Sequence, residues 1–270
     1  LNTVRKHLSA VKGGRLAAAT RAACLTLIVS DVVGDEPTVI ASGPTVADPS
    51  TYAEALAILD RRGGRPGYPS AVVAHLEAGA EGRIDETPKP GDSRLARSQV
   101  HIVSGRSTAM TGAAAAASAL GFHVECLDAP VVGEARESSV SHVRDALARA
   151  AARPRPFCLV SGGETTVTVR GRGRGGRNQE FALAAASALA AHGPSVVLAS
   201  CGTDGVDGPT DAAGAMVDAT TLERARTLGL DAAAALAAND TNPFFAALGD
   251  LIHTGPTGTN VGDLQVLLLA

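Results

Sequence analysis

The sequence predicts an α/β fold, built as two layered α/β domains with mostly parallel sheets, on three observations. Short apolar runs typical of strands alternate with helical patterns along most of the chain. The 270 residues suffice for one large domain or two ordinary ones. A break in composition at 152–156, "ARPRP", divides the alternation into two halves. Strand, crossover helix and strand in succession indicate helices layered on a mostly parallel sheet.

Buried strands are predicted at five apolar runs. These runs lie at 24–30, 99–104, 122–128, 157–161 and 195–200. Helical patterns lie between them, at 52–62, 70–78 and 134–152. The segment "TTVTV" at 165–169 alternates as a half-buried strand does, so we expect the second half to mix parallel and antiparallel pairing.

The proline-rich break predicts a domain boundary. Its prolines end the preceding helix, so we expect an N-terminal domain at 1–152 and a C-terminal domain at 153–270. The chain opens with Leu1 rather than Met, and its first thirty residues contain five cations and no acid. We therefore expect a fragment whose first domain is incomplete at its N-terminus.

The composition is that of an ordinary globular protein. Hydrophobic residues make up 45% of the chain, charged residues 19%, and the net charge is −3, which indicates no nucleic-acid partner. The longest apolar stretches, such as 181–191, are shorter than a bilayer span, so neither a membrane helix nor a signal peptide is expected. The four widely spaced cysteines exclude CxxC motifs and favour buried, reduced thiols in a cytoplasmic protein.

Ligands of open α/β sheets bind beyond the carboxyl ends of strands, and an arginine- and glycine-rich segment, "RGRGRGGRNQE", follows one predicted strand there. Its glycines let backbone N–H groups approach an anion. The helix expected to begin near Asn178 directs its positive N-terminal end toward the same place, and Arg177 lies at that N-terminus. Polyphosphate is the expected ligand, and Arg172 and Arg174 are expected to lie beside it. The alternative is a solvated basic loop.

The same segment matches the dinucleotide pattern G-x-G-x-x-G through Gly171, Gly173 and Gly176. A dinucleotide site needs compact apolar residues where this loop has arginines, and an acidic residue about 20 positions later that is missing here. The pattern therefore does not predict a nicotinamide cofactor.

An acidic loop, "GTDGVDGPTDAAG", follows the strand predicted at 195–200 and brings Asp204, Asp207 and Asp211 close together. Carboxylates at such spacing repel unless a cation or proton intervenes. Because Mg²⁺ takes one or two protein carboxylates and completes its shell elsewhere, a magnesium that also touches phosphate suits this loop. The alternative is a turn whose aspartates cap the next helix.

Two further glycine-containing segments are candidates for ligand contact. "SGGET" provides Gly162 and Gly163 for close backbone approach and Glu164 at a strand end, or forms a glycine-rich corner only. "HTGPTGTNVGD" at 253–263 places Thr257 and Asn260 between glycines, where they bind a ligand or merely turn the chain.

The N-terminal segment concentrates cations on one predicted helix. Positions 5, 8, 12 and 15 are spaced to share a face, so Arg5, Lys12 and Arg15 are expected to converge on one anion. Signatures of other catalytic classes are absent from the sequence: it contains no P-loop, protein-kinase, HExxH or G-x-S-x-G motif.

Six segments taken in order resemble the signature blocks of the glycerate 2-kinase family, whose C-terminal portion is called the MOFRL domain. They are "NTVRKHLSAVKGGRLA", "SDVVGDEPTVIASGPTVADPST", "SGGETTVTV", "GRGGRNQEFALAAA", "GTDGVDGPTDAAGA" and "GPTGTNVGDLQV". The resemblance spans nearly the whole chain. It implies transfer of the γ-phosphoryl group of ATP to the 2-hydroxyl of D-glycerate, with Mg²⁺, in a cleft between two α/β domains, and it leaves a homodimer open.

The resemblance implies a role for Arg177, and the mechanism of phosphoryl transfer suggests roles for further residues. Arg177 of "GGRNQE" takes the position of the catalytic arginine, and Asp204 is the first choice for binding Mg²⁺ or accepting the hydroxyl proton, followed by Asp207 and Glu164. The expected substrate- or nucleotide-binding residues are Arg5, Lys6, Lys12, Gly162, Gly163, Arg172, Arg174, Asn178, Thr257 and Asn260.

This sequence departs from the family at its beginning. Family members carry an additional N-terminal region with a lysine in a Gly-Lys-Ala context and an "SGGGS" loop, and neither occurs here. "VSGRSTAM" at 103–110 also lacks an asparagine usual in the family. Two alternatives to a glycerate kinase therefore stay open: an inactive nucleotide-binding fragment, and the NAD(P)H-dependent hydroxypyruvate reductase whose name such proteins have often carried.

Overall fold

The computed structural model describes residues 1–193 and 195–270, which form two compact units, Leu1–Val103 and Ser104–Ala270. Each unit combines helices with strands, so the predicted α/β class is confirmed. The second unit begins before the predicted boundary between 152 and 153, because the elements that follow residue 104 pack on strands and helices of the second unit. A domain boundary at 152–153 stays a prediction.

The first unit is a small helical layer beside a two-stranded sheet. Its elements are α1 (Asn2–Leu8), α2 (Arg15–Ala18), β1 (Cys24–Val29), α3 (Tyr52–Arg61), α4 (Ser70–Ala80) and β2 (Ser98–Ser104). α3 begins at a capping box, in which the Thr51 and Glu54 side chains and backbones bond each other reciprocally. The core lies between α1, α3 and α4, where Tyr52 is fully buried and fills the space that a side chain on Gly79 would occupy.

The sheet of this unit differs from the expected pair of buried strands. β1 pairs with β2 alone among the described residues, and residues along β1 alternate between half-buried and exposed. Leu25 and Leu27 are 62% and 63% exposed. The prediction of a buried strand at 24–30 was therefore correct about the strand and wrong about its burial.

The second unit is built on a seven-stranded sheet with helices on both faces. Its helices are α5 (Arg106–Ala119), α6 (Ala135–Ala150), α7 (Arg177–His192), α8 (Thr221–Thr227), α9 (Ala232–Ala237) and α10 (Thr241–Leu248). Its strands are β3 (His123–Cys126), β4 (Val131–Glu134), β5 (Phe157–Thr166), β6 (Val196–Gly202), β7 (Gly214–Asp218), β8 (Leu251–Ile252) and β9 (Asp263–Leu269).

The sheet mixes strand directions. β3 and β4 both run parallel to β5, one after the other along the same edge of it. The remaining pairings, β5 with β9, β9 with β6, β6 with β7 and β7 with β8, are antiparallel. The expected mixture in the second half is confirmed, and the predicted predominance of parallel pairing does not hold in this sheet.

The alternation of side chains along the strands builds two apolar layers. Phe157 and Leu159 of β5 face α6 and α7, whereas Cys158 and Val160 face α5. β9 alternates in the same way, so the central strands are covered on both faces. The layer under α6 and α7 is the larger one and continues to α8, α9 and α10.

Two sequence expectations concern cysteines and membranes. All four cysteines are free thiols, but only Cys158 is buried and Cys126 is exposed, so the expected burial holds for one of them. None of the helices in residues 1–193 and 195–270 combines the length and the apolar character needed to cross a bilayer.

Candidate active site

The sheet face beneath α7 changes from apolar to polar to charged toward the first residue of that helix. The facing rows across β5, β9 and β6 are Leu159, Leu267 and Leu198, then Ser161, Gln265 and Ser200, then Gly163, Asp263 and Gly202. Directly opposed residues point to the same face of a sheet. The charged row therefore contains one carboxylate, Asp263, with a glycine on each side.

Arg177, the first residue of α7, binds this carboxylate through a forked contact. Its Nε lies 3.0 Å and 2.8 Å from the two Asp263 oxygens, and its Nη2 lies 2.8 Å from Oδ1. The Asp263 side chain is fully buried, and 30% of the Arg177 side chain is exposed. The hydrogen bonds to Asp263 raise the pKa of Arg177, to which the nearby charges of Glu164 and Asp207 also contribute.

Asp207 caps α7 instead of facing solvent. One carboxylate oxygen accepts the backbone N–H of Asn178 at 3.0 Å, and the other accepts the backbone N–H of Gln179 at 2.9 Å. Burial raises the pKa of Asp207, although these N–H groups favour its charged form. The helix end that was expected to hold phosphate is occupied by this carboxylate, so the predicted anion cradle does not form at these two groups. Asp207 is also left without a free oxygen for the predicted metal site.

Asn178 belongs to the same buried network. Its side-chain nitrogen lies 2.9 Å from Asp263 Oδ1 and 3.3 Å from Asp207 Oδ1, and its oxygen accepts from Ser200 Oγ at 2.6 Å. The side chain is 1% exposed. Asn178 therefore supports the two aspartates, and the predicted direct contact with a substrate finds no support in this geometry.

The loop 170–176 is packed against the chain at 238–241. Asn239 Oδ1 accepts the N–H groups of Arg170 and Gly171, and the Ala238 carbonyl accepts the N–H of Gly173. A Cβ added to Gly171 would overlap the Ala238 carbonyl. The glycines of the loop therefore permit close packing of two backbones, and these N–H groups are not directed at an anion as predicted.

A cleft of about 520 Å³ lies beside Arg177. Among the described residues, its lining includes Arg177, Glu164 and the buried Glu180, but not Asp204. Glu164 pairs with Val132 inside β5, because this strand continues through "SGGET" without the predicted break at 161. The structure thus brings Arg177 and Glu164 to one cleft, and their catalytic roles stay a prediction.

Gly162 and Gly163 also lie inside β5 and not on a ligand-binding corner. A Cβ on Gly163 would overlap the backbone of Val131 in β4, and one on Gly162 would lie 3.0 Å from the Asp263 carbonyl. Both glycines therefore allow neighbouring strands to approach, and they form neither the predicted ligand contact nor the glycine-rich corner that was its alternative.

Glu180 was not predicted and forms the floor of the cleft with two partners. Arg136 Nε lies 2.7 Å from one of its oxygens, and Asn239 Nδ2 lies 2.7 Å from the other. Glu180 is 1% exposed, so its carboxylate is buried against these two partners. The sequence gives no local signal for the contact, because the three residues are about 40 to 100 positions apart in pairs.

Asp204 lies at the same end of the sheet as Arg177, two residues after β6. Its Oδ1 accepts the backbone N–H of Val206 at 3.0 Å, and its carbonyl accepts the backbone N–H of Thr257 at 3.1 Å. The side chain is half-buried. Oδ2 takes part in no described hydrogen bond, which leaves Asp204 the better suited of the two predicted metal ligands.

The segment 253–262 is fixed to the loop after β6 by hydrogen bonds. Thr257 Oγ1 donates to the Thr203 carbonyl at 2.7 Å, and Thr203 Oγ1 donates to the Gly262 carbonyl at 2.7 Å. Asn260 Oδ1 accepts from the Gly262 N–H at 3.1 Å. Thr257 and Asn260 are exposed, so a ligand contact by either residue stays a prediction.

The remaining predicted cations of this unit are on the surface. Arg174 donates to the Pro209 carbonyl at 3.2 Å and lies 3.8 Å from Asp211, and Arg172 is exposed. Among the described residues, no group of three or more His, Cys, Asp or Glu side chains converges on a metal position. A magnesium bound here would therefore depend on Asp204 together with ligands that the substrate brings.

The predicted cations of the first unit do not converge on one helix face. α1 ends at Leu8, so position 12 lies in the turn before α2. Lys6 is buried and forms an ion pair of 3.1 Å with the buried Asp48, and Lys12 Nζ donates to the Ala41 carbonyl at 2.8 Å. Burial raises the pKa of Asp48, but hydrogen bonds from Ser50 and the charge of Lys6 outweigh burial and keep this pKa below its usual value. Lys6 therefore has a structural partner, and only Arg5 is exposed.

Asp263 is the main residue that the sequence analysis missed, although a signal for it existed. Asp263, Gln265, Leu267 and Leu269 share one face of β9 by simple alternation. A carboxylate at the start of a strand whose same-face residues are apolar must find a cationic partner or remain protonated. "NVGDLQVLLL" therefore carries a signal for a buried charge that the sequence analysis did not use, and only the fold could supply Arg177 as its partner.

The fold and this site define an α/β protein that holds an arginine at a helix start above a buried carboxylate. The MOFRL family matches residues 157–263, and DUF4147, a domain of unknown function, matches residues 1–77. A glycerate 2-kinase of Pyrococcus horikoshii is 39% identical over 274 residues, which cover all of this chain and 61% of that protein. The crystal structure of a glycerate kinase from Thermotoga maritima matches with a TM-score of 0.85 and 40% identity, covering all of this chain and 63% of that one.

A protein of Agrobacterium vitis whose name proposes a hydroxypyruvate reductase is 47% identical over 276 residues, covering all of this chain and 60% of that protein. The chain belongs to the glycerate 2-kinase family, whose members carry the MOFRL domain. It spans about three fifths of the length of the first of these relatives.

Proposed function

We propose that the protein containing this chain transfers the γ-phosphoryl group of ATP to the 2-hydroxyl of D-glycerate. The single observation that carries the proposal is the placement of Arg177, which begins α7, binds Asp263 and lines a cleft together with Glu164. The names of the Pyrococcus and Thermotoga relatives support the choice of substrate. The predicted position of the site between two domains stays a prediction.

Phosphoryl transfer requires alignment and charge neutralisation more than covalent chemistry by the protein. Arg177 suits this work, because its guanidinium is held at one edge by a buried carboxylate and 30% of its side chain is exposed. It would bind the transferring phosphoryl oxygens as their charge redistributes. Loss of an arginine in this role typically lowers kcat by about 10³-fold or more.

Two carboxylates are candidates for the remaining roles. Asp204 has one oxygen outside described hydrogen bonds and suits Mg²⁺, whose bound charge would offset that of the phosphate groups. Glu164 is exposed in the cleft near Arg177 and is the candidate acceptor of the glycerate hydroxyl proton. Arg172, Arg174 and Arg5 would attract anionic substrates without holding them in a fixed position.

A hydroxypyruvate reductase is the second candidate, because the Agrobacterium relative carries that name. The packing of the G-x-G-x-x-G segment argues against a reductase. Gly171 and Gly173 abut Ala238 and Asp240, and Asp207 occupies the N–H groups at the start of α7, so the groups that bind a pyrophosphate in a dinucleotide site are already used.

The test is an ATP-coupled assay with D-glycerate on the full-length protein and on the 270-residue chain. Arg177→Ala is expected to lower kcat by about 10³-fold, whereas Arg153→Ala, which removes an exposed arginine paired with Glu125, should leave kcat unchanged. A loss of less than about tenfold in Arg177→Ala would exclude a transition-state role. NADH consumption with hydroxypyruvate would instead support the reductase, and ATP binding without turnover by the 270-residue chain would indicate a binding fragment.

The magnesium assignment has its own measurement in the same assay. Asp204→Asn should raise the Mg²⁺ concentration needed for half-maximal activity, because a neutral amide is a weaker ligand for a hard cation. An unchanged magnesium dependence removes Asp204 from the site.

A further inference from the structure

Asp263 is the only acidic residue of β9, and its surroundings leave it one cationic partner among the described side chains that contact it. The carboxylate is fully buried and accepts three hydrogen-bond contacts from Arg177. Asn178 Nδ2 at 2.9 Å and the backbone N–H of Thr165 at 3.4 Å complete its shell. Each carboxylate oxygen is therefore held in place from more than one direction.

The sheet is shaped to admit this pair. Gly163 of β5 and Gly202 of β6 are the directly opposed neighbours of Asp263, and neither carries a side chain on that face. A Cβ on Gly202 would lie 3.7 Å from Asn178 Nδ2 and 3.1 Å from Asp204 Oδ1. Asp263 therefore has no neighbouring side chain beside it in this row of the sheet, and the head of Arg177 reaches its carboxylate there.

We infer that Asp263 is the positioning residue of the proposed phosphoryl transfer: it fixes the plane of the Arg177 guanidinium and neutralises its charge before the substrates react. This inference rests on the proposed function. It assigns a role in the reaction to a residue that touches neither the phosphate nor the acceptor hydroxyl.

The pairing favours the transition state over the ground state. A neutralised arginine attracts a bound triphosphate weakly, but its remaining N–H groups keep a fixed direction. An interaction that strengthens only as charge develops raises kcat without tightening substrate binding. Because Asp263 holds Nε and Nη2, the donor face that remains on Arg177 is set by the sheet and not by a flexible side chain.

The test compares Asp263→Asn, Arg177→Lys and the double variant in the full-length protein. Asp263→Asn should lower kcat by about 10²-fold through misplacement of the guanidinium, and it should not raise KM for ATP, because the arginine that it leaves unneutralised attracts phosphate more strongly. Arg177→Lys, which keeps the charge but loses the fork, should give a similar loss, and the double variant should be no worse than either single one. Glu125→Gln removes a half-buried carboxylate of β3 that pairs with Arg149 and Arg153 outside the cleft, and it should leave kcat and KM unchanged.

The outcomes separate this inference from the proposed function. If the wild type phosphorylates D-glycerate and Asp263→Asn stays within about twofold of it, or if the two substitutions lower kcat additively, the positioning role is wrong. If the wild type shows no such activity, the proposed function fails. Calorimetric titration with inorganic phosphate then tests by itself whether Asp263 neutralises Arg177. Tighter phosphate binding by Asp263→Asn than by the wild type then supports charge neutralisation, and equal binding overturns it. Should Asp263→Asn not fold, Asp263→Ser, which also removes the negative charge, replaces it in both measurements.

Discussion

Asp207 and Asp263 both contact the first turn of α7, and their partners give them different roles. Asp207 receives backbone N–H groups, so it caps the start of the helix and is removed from solvent. Asp263 receives the side chain of Arg177, which also reaches the cleft. Two aspartates that look alike in the sequence are therefore a helix cap and an arginine support.

His142 makes the stability of the second unit sensitive to acid. It is 6% exposed, next to Ser161 and Phe181, and burial lowers its pKa from 6.5 to about 4. Because the unfolded chain binds a proton in this interval and the native state does not, the free energy of unfolding falls as pH falls from about 6.5 to 4. The loss from this residue should reach about 3 kcal/mol at pH 4.

The measurement is the free energy of unfolding in denaturant at pH 7 and pH 4. His142→Gln should make the second unit lose about 3 kcal/mol less between these values than the wild type does. His123→Gln, at an exposed position, should behave like the wild type. Equal losses in wild type and His142→Gln would show that this histidine does not set the acid sensitivity.

At the scale of elements, the loop 170–176 is a packing element and not a pliable support for arginines. Its glycines face Ala238, Asp240, Thr241 and Asp207, where a Cβ on each would overlap its neighbour. Glycine-rich sequence predicted flexibility, but in this fold the missing side chains allow one segment to lie directly on another. The start of α7, and with it Arg177, is thereby fixed on two sides.

Gly176→Ala tests this packing. Gly176 has an extended backbone, so alanine is not strained there, but its Cβ would overlap the Asp207 carboxylate that caps α7. We expect the second unit to lose about 1–3 kcal/mol of unfolding free energy. The matched control is Gly112→Ala in α5, where open space surrounds the added methyl group and higher helix propensity should add about 0.5–1 kcal/mol.

Thermal or denaturant unfolding of both variants gives the answer directly. A change of the same sign and size in both would mean that the loop yields easily and that its glycines are not needed for packing. If Gly176→Ala keeps its stability but loses kcat, the added methyl group has instead displaced Arg177.

At the scale of the whole molecule, the pairing within the second unit explains why this compact unit begins at Ser104. β3 and β4 pair with β5, and α6 packs on α7. A chain that begins at 153 would lose β3 and β4, which pair with one edge of β5. It would also expose the face of α7 that α6 covers.

This division predicts different stabilities for two truncated proteins. Residues 104–270 should unfold in one cooperative transition, because they contain the complete sheet and both of its helical layers. Residues 153–270 should be less stable and should bind a dye for exposed apolar surface. Circular dichroism during thermal unfolding compares them, and equal midpoints would instead place the domain boundary near 152.

The sequence by itself determined the α/β class, most strand and helix positions, and the family, and it singled out Arg177, Glu164 and Asp204 as candidates whose roles stay predictions. These follow from local periodicity and from motifs, which need no knowledge of distant partners. The strand through "SGGET" was missed, because its pairing with β4 and β9 overrides the local turn tendency of two glycines.

Only the tertiary structure decided which charges meet. Lys6 pairs with Asp48, Glu180 with Arg136, and Arg177 with Asp263, across 42, 44 and 86 residues of chain. A buried charge needs a partner, but the sequence cannot name it, since the register of β9 between β5 and β6 sets the position of Asp263 under α7. The physical reason is that periodicity fixes the face of a strand on which a residue lies, and packing alone fixes what lies opposite.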